Sequence, residues 1–231
     1  MSGVHGVMEA QSHSELSRIF SGALINAPDG MPMSWVGWLQ GHRQMDRVYG
    51  PDFMANLCRL SVSKGYRHYL YGGQPSVAQA LKDTLQTRFP GVQIVGTYTP
   101  PFRHLNQQEE DALLSDVWNA KPDILWVGLS TPKQECFMAE YVSRLRVPLL
   151  VGVGAAFDFH TGRLTESPAW VKRAGLQWVH RLLQDPRRLW KRYLVNNPVF
   201  AWKIILQLLK PRTCDCQRAP TSEATSSTTN S

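Results

Sequence analysis

Asp29 stands in a Pro28-Asp29-Gly30 turn directly after the apolar run Leu24 to Ala27. A carboxylate at the carboxyl end of a strand, partly shielded from water, can take a proton from a sugar hydroxyl as a general base. A plain turn also suits this residue, since Asp-Gly is favoured there. A second stretch, Gly128-Leu129-Ser130-Thr131-Pro132-Lys133-Gln134-Glu135, follows the apolar run 123–127. Thr131, Pro132 and Gln134 fit the N-cap, first-turn and N3 positions of a capping box. A helix starting this way aims backbone N–H groups and a positive dipole end beyond the strand. Lys133 adds a full charge, and the whole could hold a phosphate or nucleotide diphosphate. Gln134 and Glu135 also have ordinary roles open to them, as capping residue and first-turn dipole partner.

Three further stretches complete the set. Gly72-Gly73 follows Tyr69-Leu70-Tyr71 and precedes Pro75. Glycines there let a backbone approach a ligand closely, although a simple turn fits equally and no GxGxxG fingerprint is present. Gly152 to Asp158 places small residues and then an acid after a buried strand. That suits a wall for a nucleotide sugar with Asp158 on its hydroxyls, or tight strand–helix packing with Asp158 as a cap. The last stretch holds Arg181, Arg187, Arg188, Lys191 and Arg192. Arg suits bidentate phosphate contact. Trp170, Trp178, Trp190 and Trp202 accompany these cations. Aromatic rings beside cations suit a lipid headgroup interface, where the cations alone would suit a solvated helix.

No metal site is read: the histidines form no His-x-x-x-His pair, and no Asp-x-Asp occurs. Glu109 and Asp111 come closest, in a predicted first helical turn where acids suit the dipole. Serine-hydrolase and kinase signatures are also missing.

The elements that must position these residues follow from apolar spacing. Strands are expected at Val4 to Met8, Leu24 to Ala27, Tyr69 to Tyr71, Val92 to Thr97, 123–127 and Leu149 to Val153. Helices are expected from Ser12-His13-Ser14-Glu15 to about Ser21, and over Met33–Leu39, Pro51–Val62 and Val77–Phe89. Others run from an Asn106 to Glu109 cap through Trp118, after Thr131, and over Phe200–Leu209. This alternation predicts an α/β fold: a Rossmann-like, mostly parallel sheet with helices on both faces. Ligands of such sheets sit beyond the strands' carboxyl ends, where all the candidate sites should converge.

At 231 residues and 43% hydrophobic content, the chain suits one good core with an appendage. From Lys172 to Lys210 there are nine basic residues and one acid, Asp185, so this segment carries +8 and the remainder −1. A near-neutral domain with a basic, Trp-rich end points to an anionic membrane surface at least as strongly as to nucleic acid. No membrane span and no signal peptide is read. Of the four cysteines, Cys58 and Cys136 lie in core-like segments and Cys214 and Cys216 in the tail, with no disulfide or zinc spacing. A cytosolic compartment fits. The expected division is an α/β catalytic domain over 1–168, a basic helical appendage over 169–211 and a disordered tail over 212–231. A strand as early as residue 4 reads as a catalytic domain shortened at its start.

The ordered motifs resemble the WecG/TagA/CpsF glycosyltransferase family (glycosyltransferase family 26). They are Val4-His5-Gly6-Val7-Met8-Glu9-Ala10, Pro28-Asp29-Gly30-Met31-Pro32, Arg47-Val48-Tyr49-Gly50-Pro51-Asp52 and Tyr71-Gly72-Gly73. Thr131-Pro132-Lys133-Gln134-Glu135, Gly154-Ala155-Ala156-Phe157-Asp158, Gly175-Leu176-Gln177-Trp178, Arg181-Leu182 and Pro186-Arg187-Arg188-Leu189 continue them. The resemblance implies an inverting, metal-independent, cofactor-free transfer. A sugar would pass from a UDP-sugar donor to a saccharide on undecaprenyl diphosphate, in bacterial surface polysaccharide synthesis. It implies Asp29 as catalytic base, Arg47 as a pocket arginine, and Gln134 and Asp158 as polar site residues. Arg181, Arg188, Lys191 and Arg192 fall in an appendage that covers the pocket and meets the membrane, placing the protein on the inner face of the cell membrane.

Gly72, Gly73, Thr131 and Lys133 join these as substrate-binding candidates. Where the family usually carries Thr and Asn, this chain has Ser2 and Gly3, so Ser2 is left to supply the hydroxyl. Gln177 stands where Glu is common. The partners implied are the donor, the lipid-linked acceptor and the membrane, with no nucleic acid, and the apolar appendage leaves room for a homo-oligomer. The competing readings are a soluble nucleotide-dependent enzyme and a basic nucleic-acid-binding protein.

Overall fold

The structure, a computed structural model, describes residues 1–209 and leaves out the side chain of Arg188. The predicted tail over 212–231 lies outside the described residues. The elements begin with α1 (Val4–Ser12), α2 (Ser14–Gly22), α3 (Met31–Leu39) and α4 (Gly50–Lys64). Next come β1 (Arg67–Gly72), α5 (Val77–Arg88), β2 (Gln93–Tyr98), α6 (Gln107–Ala120), β3 (Ile124–Gly128), α7 (Lys133–Leu145) and β4 (Leu149–Gly152). The chain ends in short helices: α8 (Ala156–His160), α9 (Ala169–Arg173), α10 (Gln177–Gln184), α11 (Pro186–Leu194) and α12 (Asn196–Leu209).

The four strands form one all-parallel sheet in the order β2-β1-β3-β4. The central strands β1 and β3 are covered on both faces, which is why their sequences read as continuous apolar runs. Alternation sends Leu70, Ile124 and Trp126 to one face, against Met54 and Cys58 of α4, Leu81 and Leu85 of α5, and Phe157 of α8. Tyr69, Tyr71, Leu125 and Val127 face the other way, against Leu113 and Val117 of α6 and Phe137 and Tyr141 of α7. Each such side chain, fully buried, stabilises the fold by about 1.5–3 kcal/mol before conformational entropy is set against it. α6 starts with the predicted capping box, Asn106 accepting from Glu109 N and Glu109 accepting from Asn106 N. From β1 the chain moves outward to β2; from β3 it moves the opposite way to β4. The crevice between β1 and β3 is therefore the switch point where such sheets take ligands.

Two expected strands are not strands. Residues 4–8 lie in α1, with Gly6 and Met8 buried. Val4, Val7 and Met8 satisfy helical i, i+3, i+4 spacing as well as a short apolar run, and Glu9 and Ala10 favour a helix. Leu24 to Ala27 is irregular, with Leu24 and Ile25 at 89% and 75% exposed. In place of a strand there is one isolated bridge, Ser2 to Pro28. Cys58 is buried as expected, whereas Cys136 is exposed.

Candidate active site

A cavity of about 1180 Å³ opens at the carboxyl edge of the sheet. Its floor is backbone from the switch point. Gly73 N donates to the Gly128 carbonyl at 3.0 Å, and a Cβ on Gly72 would sit 2.6 Å from that oxygen. Gly72 therefore serves close packing and does not line the cavity, while Gly73 does. The start of α7 forms the next part. Thr131 and Lys133 line the cavity, with Lys133 exposed at the rim.

The expected capping box is not made there. Pro132 occupies the N-cap without a side-chain bond, and Gln134 sits one position earlier than N3. The Thr131 hydroxyl instead donates to Glu135 Oε1 at 3.0 Å, and the N–H of Gln134 donates to the Ser130 carbonyl at 3.1 Å. Gln134 is only 2% exposed. Its Oε1 accepts from Gly154 N at 2.8 Å and its Nε2 donates to Glu135 Oε1 at 3.2 Å. It touches the cavity, but its side chain chiefly fixes the loop after β4. A Cβ on Gly152 would come within 2.5 Å of it. Past that loop, Asp158 lines the cavity from α8.

Asp29 reaches the same cavity by a different route. Ser2 N donates to the Ala27 carbonyl at 2.8 Å, and Asp29 N donates to the Ser2 carbonyl at 3.0 Å. Ser2 thus sets the position of Asp29 through its backbone. Its hydroxyl turns to Asn26 at 3.4 Å, and Ser2 does not line the cavity. Arg47 is likewise outside the lining. Its Nη1 donates to Gln177 Oε1 at 3.1 Å and its guanidinium lies 4.7 Å over the Tyr49 ring. Removal from water raises the pKa of the Asp29 carboxyl. The Met1 ammonium, Arg47, Arg181 and Arg192 act against that rise, so four positive charges bear on one carboxyl group.

The roof comes from the C-terminal helices. Arg181 of α10 and Lys191 and Arg192 of α11 line the cavity. The Arg181 guanidinium lies 5.5 Å over the Phe159 ring, and its buried Nε has no partner among the described residues. The side chain of Arg188, another candidate, lies outside the described residues. Trp178 and Tyr193 pack at 6.0 Å and tie α10 to α11.

Two residues missed in the sequence reading join roof to base. His5 of α1 lines the cavity and accepts from Asn196 Nδ2 at 3.0 Å. Burial, with Arg192 nearby, lowers the His5 pKa and favours the neutral ring this bond needs. His5 stands in the Val4–Ala10 motif but is not singled out there, and no motif marks Asn196; the pair forms only when α12 folds back on α1.

Gly73, Thr131, Lys133, Gln134, Asp158, Asp29, Arg181, Lys191 and Arg192 thus share one cavity. A titratable carboxyl faces clustered cations at a switch-point crevice, an arrangement suited to moving a proton beside a bound diphosphate. Comparison with known proteins agrees. The model of the glycosyl transferase WecG/TagA/CpsF family matches residues 1–214. An N-acetylglucosaminyldiphosphoundecaprenol N-acetyl-beta-D-mannosaminyltransferase of Bacillus subtilis (strain 168) is 27% identical over 81% of this chain and 70% of its own length. The protein of the same name from Bacillus spizizenii is 28% identical over 80% of this chain and 70% of its own. With a family match spanning nearly the whole sequence and a site to go with it, the chain belongs to the WecG/TagA/CpsF family of glycosyl transferases.

Proposed function

We propose that this chain moves a sugar from a UDP-sugar to a hydroxyl of a saccharide carried on a polyprenyl diphosphate, inverting the anomeric centre. The observation carrying this reading is the shared cavity of Asp29 with Arg181, Lys191 and Arg192. Asp29 accepts the acceptor hydroxyl's proton. The freed oxygen pair forms the new bond to the anomeric carbon, and the old C–O pair departs with UDP. Attack from the face opposite UDP gives inversion without a covalent sugar–enzyme intermediate. The departing diphosphate gathers negative charge, and the roof cations are placed to stabilise it. Gly73 and Thr131 give backbone contact, Lys133 a further charge, and Asp158 an acceptor for sugar hydroxyls. The two Bacillus relatives point to an N-acetylhexosamine donor and an undecaprenyl-linked acceptor.

The test is UDP release from a panel of UDP-sugars with N-acetylglucosaminyl polyprenyl diphosphate. Release that requires the acceptor and falls sharply in Asp29→Asn supports the reading. Near-normal release in that variant removes Asp29 from the role. Turnover unchanged after EDTA treatment is expected, and its loss would overturn a metal-independent transfer.

We also place α9–α12 on the anionic inner surface of the cell membrane. Trp170, Leu183, Leu194, Trp202 and Leu209 are 68%, 77%, 55%, 61% and 75% exposed, interleaved with basic residues. No helix among the described residues is long and apolar enough to cross a membrane. Flotation with anionic vesicles should be lost on deleting residues 170–231; binding that survives would overturn the assignment.

A further inference from the structure

A second cavity, of about 520 Å³, lies between α1, α3 and α12. Val7, Met33, Val36, Phe200, Ile204 and Leu206 give it an apolar lining. The other lining residues are three glutamines and Lys203, with no carboxylate among them. Lys203 Nζ donates to Gln11 Oε1 at 2.6 Å, tying α12 to α1 at this cavity.

Two of the three helices that build this groove, α1 and α12, also line the active-site cavity, and the third, α3, follows the turn that carries Asp29. α1 gives His5, Gly6 and Glu9 to the active-site cavity, and Val7 and Gln11 to the groove. The turn bearing Asp29 runs directly into α3, whose Met33 and Val36 line the groove. α12 starts with Asn196 at the active-site cavity and reaches the groove at Phe200 and Ile204, roughly 6 and 12 Å further along its axis. On its outer side, Trp202, Ile205 and Leu209 are exposed. α12 thus runs from a membrane-suited outer face past the apolar groove to the rim of a cationic cavity.

An apolar groove adjoining a diphosphate-suited cavity fits one chemical class, an amphiphile with a diphosphate head and a hydrocarbon chain. We propose that the groove between α1, α3 and α12 seats the head-proximal part of the acceptor's polyprenyl chain. This rests on the sugar-transfer reading and adds to it a protein-bound path for the chain. Burying isoprene units there removes apolar surface from water. The missing carboxylates spare the neighbouring diphosphate a like-charge repulsion.

The test uses the full chain and a polyprenyl diphosphate carrying a diazirine near its head. Photolysis and peptide mapping should label α3 and the groove side of α12. Excess unlabelled polyprenyl diphosphate should compete the label away, and anionic phospholipid should not. Val36→Trp and Ile204→Trp fill the groove while keeping it apolar, and should each cut labelling by about tenfold. Circular dichroism checks that both variants fold. Label confined to Trp202 and Leu209, label equally competed by phospholipid, or unchanged labelling in both folded variants would overturn the proposal. Groove labelling without UDP release from any donor would sink the reaction reading and leave the groove's occupant standing.

Discussion

Between Gly72 and Gln134 the cavity floor is held by close backbone approach and buried side chains. Across from it, Arg181 to Asn196 are held by side-chain bonds, the Trp178–Tyr193 contact and the buried Leu189, on helices whose outer faces expose apolar side chains. On the floor, Gln134 is 2% exposed and Gly72 admits no side chain. On the roof, Leu183 and Leu194 are 77% and 55% exposed. The roof is joined to the body by bonds such as Arg47 to Gln177 at 3.1 Å, Asn196 to His5 at 3.0 Å and Gln184 to the Thr165 carbonyl at 2.9 Å. The floor can fix geometry, and the roof supplies charge. Substitutions should therefore divide: floor changes act on folding, and roof changes act on turnover.

Asp29 tests the division most severely, since it faces both parts. Asp29→Asn should lower turnover by about 10²–10⁴-fold, the usual worth of a positioned base. It should also melt at a higher temperature at neutral pH. A carboxyl with a raised folded pKa favours the folded state less as pH climbs from the unfolded value through the folded one, so the charged form costs stability above it. A thermal melt beside the UDP-release assay reads both effects. A lower melting point would break the comparison at its hinge.

Among the roof residues, Arg181→Ala and Arg192→Ala should each lower kcat/KM for the UDP-sugar by about ten- to a hundredfold, the worth of a hydrogen bond to a charged group. Their melting should shift little, and a large loss of stability would place them in the framework instead. On the floor, Gly72→Ala should destabilise by at least about 2 kcal/mol, because φ is 123° and the new Cβ would meet the Gly128 carbonyl. Urea unfolding measures that change, and a neutral result would mean the floor yields.

The smallest effect concerns pH. Only ionised Asp29 can accept the proton, so activity should rise with pH through a value above the ordinary carboxylate range. Gln177→Glu would offset part of the charge on Arg47, one of the groups opposing that rise, and should move this limb to still higher pH. A pH–rate profile with an unmoved limb would separate Arg47 from the base.

Much of the floor could be read from residue order. The apolar runs around Tyr69–Tyr71 and 123–127 became β1 and β3, and Asn106 with Glu109 gave the start of α6. The switch-point crevice followed from strand and helix alternating. What escaped were features decided by distant partners. Val4, Val7 and Met8 fit two periodicities, and packing settled for the helix. Thr131 had the right spacing for a cap, but Glu135 took its hydroxyl. Gln134 lines the cavity, and no nearby residue in the sequence shows that its amide also bonds Gly154 N and Glu135. The bond between His5 and Asn196 spans 191 residues, and no local pattern announces it.

The bridge between Ser2 and Pro28 has a consequence for how this site tolerates change. Asp29 is anchored through peptide groups, its N to the Ser2 carbonyl and Ser2 N to the Ala27 carbonyl. The identity of the second residue can therefore drift while Asp29 stays put. A proline there, which has no N–H to give, would remove the bond to the Ala27 carbonyl and leave Asp29 held by one backbone hydrogen bond in place of two.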